Sequence, residues 1–219
     1  MPEEFLKAVQ AGDLAKVRGL LKAQPDLKDA HTEEGVHAAV LALYYGHGDV
    51  SKAILAARPA LDIHAAAAVG DLARVKRLVE ASPARVAAYS TDGFPPLALA
   101  AYMGHTEIVD YLLSKTADVN QVGRNRGRFT ALTGAVSSRH RDVVERLLEA
   151  GADPNHWYQG GLTPTLEAAA NGDIPMLELL VARGGDLTQE TEQGKTAISL
   201  AEEYKHPEIV DWLRTHGAR

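Results

Sequence analysis

The sequence contains no cysteine. Disulfides and thiolate chemistry are excluded, and a reducing compartment is permitted. Long apolar runs are also missing. The most apolar stretch, IHAAAAVGD, is too short and too rich in alanine to span a bilayer, so no membrane association is expected. The first residues, MPEEFLKAVQAGD, are acidic and amphipathic. They lack the basic segment and apolar stretch of a secretory signal. A soluble cytoplasmic protein is the expectation. Positive charge is short as well: the formal net charge is −6, unlike that of a generic nucleic-acid binder. Aromatic residues make up only 5% of the chain, so the positions that do carry them are informative. What is present is ordinary for a folded protein, with 46% apolar and 24% charged residues.

The motifs of catalysis are missing too. Nine histidines invite a metal or general-base reading, but no pair has zinc-type spacing beside a carboxylate or thiolate. "RHRD" places arginines where a cation site would want acids. No G-x-S-x-G elbow occurs. "GKT" at 194–196 echoes a phosphate-binding loop, but Gln189 stands where that loop needs its first glycine. No catalytic residue, metal or cofactor is expected.

The chain repeats itself. "GHTEIVDYLLSKTADVN" (104–120) returns as "RHRDVVERLLEAGADPN" (139–155). A short turn recurs at Gly12-Asp13, Gly46-His47, Gly70-Asp71, Gly104-His105, Arg139-His140, Gly172-Asp173 and Lys205-His206, with spacings of 34, 24, 34, 35, 33 and 33 residues. Such a period signals stacked supersecondary units. Before each turn lies a short, alanine-rich segment. After it, apolar residues recur at helical spacing, as in Ile108, Val109, Leu112 and Leu113 or Val143, Val144, Leu147 and Leu148. Small residues on the first helix allow close approach, and branched ones on the second fill the space between units. His47, His105, His140 and His206 share one turn position and are read as structural hydrogen-bond partners.

"DGFPPLALAAYMGHTEIVDYLLSKTADVN" (92–120) resembles an ankyrin repeat. Gly93, Pro96, Leu97, Ala100, Ala101, Gly104, His105, Ile108, Val109, Leu112, Leu113, Ala117, Asp118, Val119 and Asn120 meet that family's pattern. Pro95, Ala98 and Thr116 depart from it. "GLTPTLEAAANGD" and "GKTAISLAEEYKH" repeat its entry. The resemblance covers the whole chain and is fullest over 91–213. It implies an all-α fold, an α-solenoid of about seven helix-turn-helix repeats with short β-hairpin loops. One solenoid is expected over 1–219, with repeats near 1–30, 31–61, 62–88, 89–122, 123–157, 158–190 and 191–219. "QPDL", "RPAL" and "SPAR" replace the usual end of the second helix in the first three repeats. The 24-residue interval between Gly46 and Gly70 is too short for a hairpin finger, so none is expected there, with Pro59 closing the turn. Polar faces are expected on the terminal repeats, at Lys16 and Arg214.

The resemblance implies a module that binds partner proteins on a concave face of hairpin tips and inner helices. Residues that the stack does not need mark that face: Tyr44, Tyr45, Phe94, Tyr102, Met103, Phe129, Trp157, Tyr158 and Tyr204. Aromatic side chains suit interface centres because they bury large area with few rotors; the alternative is that several of them cover the alanine-rich helices and pack within the repeat. A second mark is "VGRNRGR". From Val119 to Arg141 there are five arginines and no Asp or Glu. Arg124, Arg126 and Arg128 share one fingertip, suited to an acidic or phosphorylated segment. The alternative for this cluster is a solvated tip kept soluble by charge. A monomer is expected, with no nucleic acid or membrane among its partners. Two other functions are weighed: a regulatory inhibitor that covers a partner enzyme's active site, and a groove-based hydrolase using His64 or His156.

Overall fold

The computed structural model describes residues 2–218. These form α-helices joined by turns, with three isolated β-bridges and no extended sheet among the described residues. The contacts of the chain fall into two compact units, Met1–Pro96 and Leu97–Arg219.

The first unit contains α1 (Pro2–Gln10), α2 (Leu14–Ala23), α3 (Ala38–Tyr44), α4 (Gly48–Ala56), α5 (Ile63–Val69) and α6 (Leu72–Ala81). Consecutive helices pair as α1 with α2, α3 with α4 and α5 with α6, and the inner helices α1, α3 and α5 stack in order. Two turns of helix are too short to persist alone, so tertiary burial must hold them. In α5, Ala65, Ala66, Ala67 and Ala68 are all buried, which permits that close stacking. Phe5, Val9, Val17, Leu41, Val50 and Ile54 fill the core beneath.

In the second unit α7 (Pro96–Tyr102) is followed by α8 (Thr106–Ser114), α9 (Ala131–Ser137), α10 (Arg141–Glu149), α11 (Pro164–Ala170), α12 (Ile174–Ala182), α13 (Ala197–Glu203) and α14 (Pro207–Thr215). The inner helices α9, α11 and α13 stack, each against its outer partner. On α10 the periodic residues Val143, Val144, Leu147 and Leu148 are all buried. Its charged face stays in solvent, and Arg146 reaches Asp110 on α8 at 3.0 Å.

The histidine turns have a physical reason. Nε2–H of His47 donates to the Gln10 carbonyl of the preceding turn at 3.0 Å. Its ring lies so close to Gly12 that a Cβ there would sit 2.7 Å from it. His140 stands in the same way against Gly104, and His206 against Gly172. Where the following turn carries Asp instead, the aspartate caps its own helix, as Asp71 does through the Arg74 amide and Asp173 through the Met176 amide. The preceding turn is then freer. Gly46 has open space around it, and Arg139 takes the same left-handed conformation at φ 58°.

The expected missing finger is missing. Only Ala57 to Asp62 separate α4 from α5, and Pro59 lies in that turn. Three other fingers are tight turns closed by single bridges, His31 to His37, Tyr158 to Leu162 and Glu190 to Thr196. "QPDL" and "SPAR" form 3₁₀ turns at Pro25–Asp29 and Pro83–Ala87, which bury Leu27 and Val86. At the ends, Lys16 is exposed and pairs with Glu4 at 2.9 Å, and Arg214 pairs with Glu202 at 3.4 Å.

Candidate functional site

In the second unit the fingers before α9, α11 and α13 are tied to one another. The Gly127 carbonyl accepts from the Gln159 amide at 3.0 Å, and the Gly160 carbonyl accepts from the Glu192 amide at 3.0 Å. The first of these fingers carries the arginine cluster. The Gly123 amide closes it onto the Phe129 carbonyl at 2.7 Å, and Asn125 Oδ1 accepts the Gly127 amide at 3.1 Å. The Phe129 ring lies against Gly127, which leaves no room for a Cβ there. Arg124, Arg126 and Arg128 are all exposed. Arg128 sits at φ 54°, its carbonyl bonded to His156 Nε2–H at 2.8 Å and its guanidinium 5.4 Å above the Trp157 ring. A cation over an indole face is held in place without losing its charge. One finger therefore presents a fixed arginine backed by a Trp157 that is itself 50% exposed.

Tyr102 and Tyr204 stand at the ends of α7 and α13, and both are exposed, Tyr204 at 58%. Tyr44 and Tyr45 do the same at the end of α3 in the first unit. Met103, Phe94 and Phe129 are half-buried. Tyr158 departs from expectation. It is 2% exposed, packed 5.2 Å from the Phe129 ring, and its hydroxyl donates to Glu167 at 3.2 Å. It belongs to the wall of the repeat and offers no surface to a partner. Burial first, then the neighbouring Glu167 carboxylate, push its phenol well above the usual range, so the proton stays on oxygen.

Glu167 was not singled out by sequence reasoning. It lines a cleft of 450 Å³ with Arg139, Asn171, Lys195, Leu200 and Tyr204. Arg139 Nη2 donates to the Asn171 carbonyl at 2.8 Å, and Lys195 pairs with Glu203 at 2.6 Å. Asn171 and Tyr204 share one repeat position, but Glu167 had no such signal, since Gly134 and Leu200 stand at its place in the neighbouring repeats. The two histidines weighed for hydrolysis are engaged in structure. His64 Nε2 bonds the Ala88 carbonyl at 3.1 Å with Asp62 3.4 Å from Nδ1, and His156 holds Arg128. Among the described residues no group of three His, Cys, Asp or Glu side chains is placed to hold a metal, and no helix is long and apolar enough to cross a membrane.

This geometry has counterparts. The family model "Ankyrin repeats (3 copies)" matches residues 63–157, and "Ankyrin repeats (many copies)" matches 147–201. The chain is 36% identical over 123 residues to cyclin-dependent kinase 4 inhibitor B of Bos taurus, covering 56% of this chain and 92% of that protein. It is 38% identical over 103 residues to BCL-6 corepressor-like protein 1 of Homo sapiens, covering 47% of this chain. It is 34% identical over 147 residues to NAD-capped RNA hydrolase NUDT12 of Macaca fascicularis, covering 67% of this chain. The chain spans only 6% of the corepressor-like protein and 29% of the hydrolase.

Proposed function

This chain belongs to the ankyrin repeat family, and on that premise we propose that it binds a partner protein on the face formed by its inner helices and fingers. The observation that carries the reading is the second unit's surface. Exposed Tyr102, Trp157 and Tyr204 accompany a fixed arginine finger. Aromatic side chains would supply the affinity, and Arg124, Arg126 and Arg128 would orient an acidic or phosphorylated segment of the partner. In the first unit Tyr44 and Tyr45 offer the same chemistry. Met103 and Phe129, half-buried, would form the floor in the second unit, and half-buried Phe94 would serve the first.

A second reading has its own support. The similarity to a cyclin-dependent kinase inhibitor runs over nearly all of that protein's length. On this reading the chain is a regulatory inhibitor that covers a partner enzyme's active site. It predicts one tight partner whose activity falls on binding.

The test is affinity capture from a lysate of the source cells with three baits: the wild-type chain, Arg124, Arg126 and Arg128 changed to Glu, and Tyr102, Trp157 and Tyr204 changed to Ala. Circular dichroism checks that each is folded. A protein held by wild type and lost from both variants supports the inner face. Identical recovery by all three sinks it. Loss of an enzymatic activity of the captured protein selects the inhibitor reading.

A further inference from the structure

The place where the finger is missing is not empty of features. The turn from Ala57 to Asp62 opens onto a cleft of 390 Å³, within the size range of small-molecule sites. Leu55, Leu61 and Val69 give it apolar walls, and three arginines, Arg58, Arg74 and Arg77, line it. One acid lines it, Asp71, and its carboxylate is already engaged as the cap of α6, accepting the Arg74 amide at 2.8 Å.

The arginines are placed for binding an anion. Arg74 donates Nε–H to the Leu61 carbonyl at 3.0 Å. That bond fixes the guanidinium plane and leaves both terminal NH₂ groups for another acceptor. Arg58 and Arg77 form no ion pair or side-chain hydrogen bond among the described residues. Like charges gathered at one cleft repel, and this occurs in a chain whose net charge is −6. The excess of cations over carboxylate in the cleft matches a dianion better than a single carboxylate.

We propose that this cleft binds a phosphate monoester carried on an apolar stem, the phosphate held by Arg58, Arg74 and Arg77 and the stem packed on Leu55, Leu61 and Val69. A phosphomonoester carries nearly two charges at neutral pH and accepts guanidinium forks bidentately. The loss of the finger has a use on this view, since a hairpin would stand at the mouth of the cleft. The phosphate could come from a free small molecule or from a phosphorylated side chain; the chemistry recognised is the same. The site lies on residues 55–77 and uses none of the groups proposed for partner binding, so the two proposals stand or fall separately.

The experiment is calorimetric titration of the whole chain at low ionic strength with phenyl phosphate, benzoate, inorganic phosphate and a capped pentapeptide bearing phosphoserine. Phenyl phosphate should bind about tenfold or more tightly than benzoate, and should weaken as salt is added. Arg58→Gln and Arg77→Gln, which break no internal bond, should each weaken it about tenfold. The triple change of Arg124, Arg126 and Arg128 to Gln should leave it unaltered. Tighter binding of the peptide than of phenyl phosphate assigns the source to a phosphorylated protein, and the reverse order assigns it to a small molecule. Equal binding of benzoate and phenyl phosphate, unchanged affinity in Arg58→Gln and Arg77→Gln, or loss only in the triple variant would overturn the proposal. Binding of inorganic phosphate as tight as that of phenyl phosphate would overturn the role of the apolar walls.

Discussion

The two units begin their inner helices differently. In the second unit Thr130, Thr163 and Thr196 start α9, α11 and α13, each hydroxyl accepting an amide of the first turn at 3.2 to 3.3 Å. In the first unit the same job falls to His37 on α3, accepting the Ala39 amide at 3.0 Å, and to Asp62 on α5, accepting the Ala65 amide at 2.8 Å. A threonine cap does not titrate. Histidine and aspartate do. The lesson is that one architectural position can be met by chemistry that ignores pH or by chemistry that depends on it.

The largest expected effect follows from His37. It is 2% exposed, so Nδ1 must stay unprotonated to accept its amide. Burial first, and then the charge of His31, pull its pKa down to about 4, against Asp29 and Asp62, which push it up. The folded value lies below the unfolded one, so the unfolded chain takes up the proton first. Stability is full above the ordinary histidine range, falls as pH drops from about 6.5 to about 4, and is flat in this respect below. A shift of that size corresponds to roughly 3 kcal/mol. At Asp62 burial pushes the carboxyl up, but hydrogen bonds from His64 and the Ala65 amide and the charges of His64 and His31 bring it below its usual value. Its contribution is present at neutral pH and is lost only in stronger acid, as pH falls through that lowered value. His37→Thr installs the second unit's cap. Urea unfolding from pH 7.5 to 4.5 should show a flatter profile than wild type, and the variant should be the more stable at the acid end. Parallel profiles would refute the role given to His37.

The turns offer a second contrast. Gly104→Ala meets both a left-handed backbone and the His140 ring 2.7 Å from the new Cβ. It should cost about 2–3 kcal/mol. Gly46→Ala meets only the backbone penalty, about 1 kcal/mol, because nothing lies within 4 Å. Thermal unfolding of the two variants measures the gap. Equal losses would mean that the ring yields freely.

The repeat period, the helix faces and the missing finger were legible in the sequence because each is a local pattern: alanines before a turn, apolar residues at helical spacing, and too few residues between Gly46 and Gly70. Tyr158 was not. An aromatic at a finger base points to solvent or to the repeat according to where Glu167 and Phe129 lie, and no local pattern states that. The cluster of Arg58, Arg74 and Arg77 was hidden for the same reason, since its members come from one helix and a turn whose spacing carries no motif. The shared turn position of His47, His105, His140 and His206 was visible, but not that such a ring sits against the turn glycine of the preceding repeat, as His47 does on Gly12 and His140 on Gly104. It gained a cause only once the ring was seen against the glycine.

The ends of the outer helices differ as well. In the second unit Asn120 Nδ2 donates to the Gly151 carbonyl at 3.1 Å while its Oδ1 accepts the Asp153 amide at 2.8 Å, and Asn155 repeats this with Gly184 and Asp186. Each asparagine thus bridges one repeat to the next. The first unit uses 3₁₀ turns that bury Leu27 and Val86 instead. Asn155→Ala removes two hydrogen bonds and should cost about 1–2 kcal/mol. Hydrogen exchange should show the loss centred on the ends of α10 and α12, which this asparagine joins. Unchanged protection there would mean that the amide bridge adds nothing to apolar packing.

The smallest expected effect separates strain from use. Arg58 in the first unit and Thr116 in the second both hold positive φ, at 56° and 63°, after an outer helix. A glycine at either position should raise stability by about 1 kcal/mol, because the side chain's clash with its own backbone is removed. Thermal unfolding should therefore move upward for both Arg58→Gly and Thr116→Gly. Only Arg58→Gly should weaken the binding of phenyl phosphate, since Thr116 lines no part of the cleft. A variant that gains stability and loses affinity in one step cannot be explained by damage to the fold. If Arg58→Gly binds as wild type does, the strained arginine has no share in anion binding, and its turn is tolerated in the same way as that of Thr116.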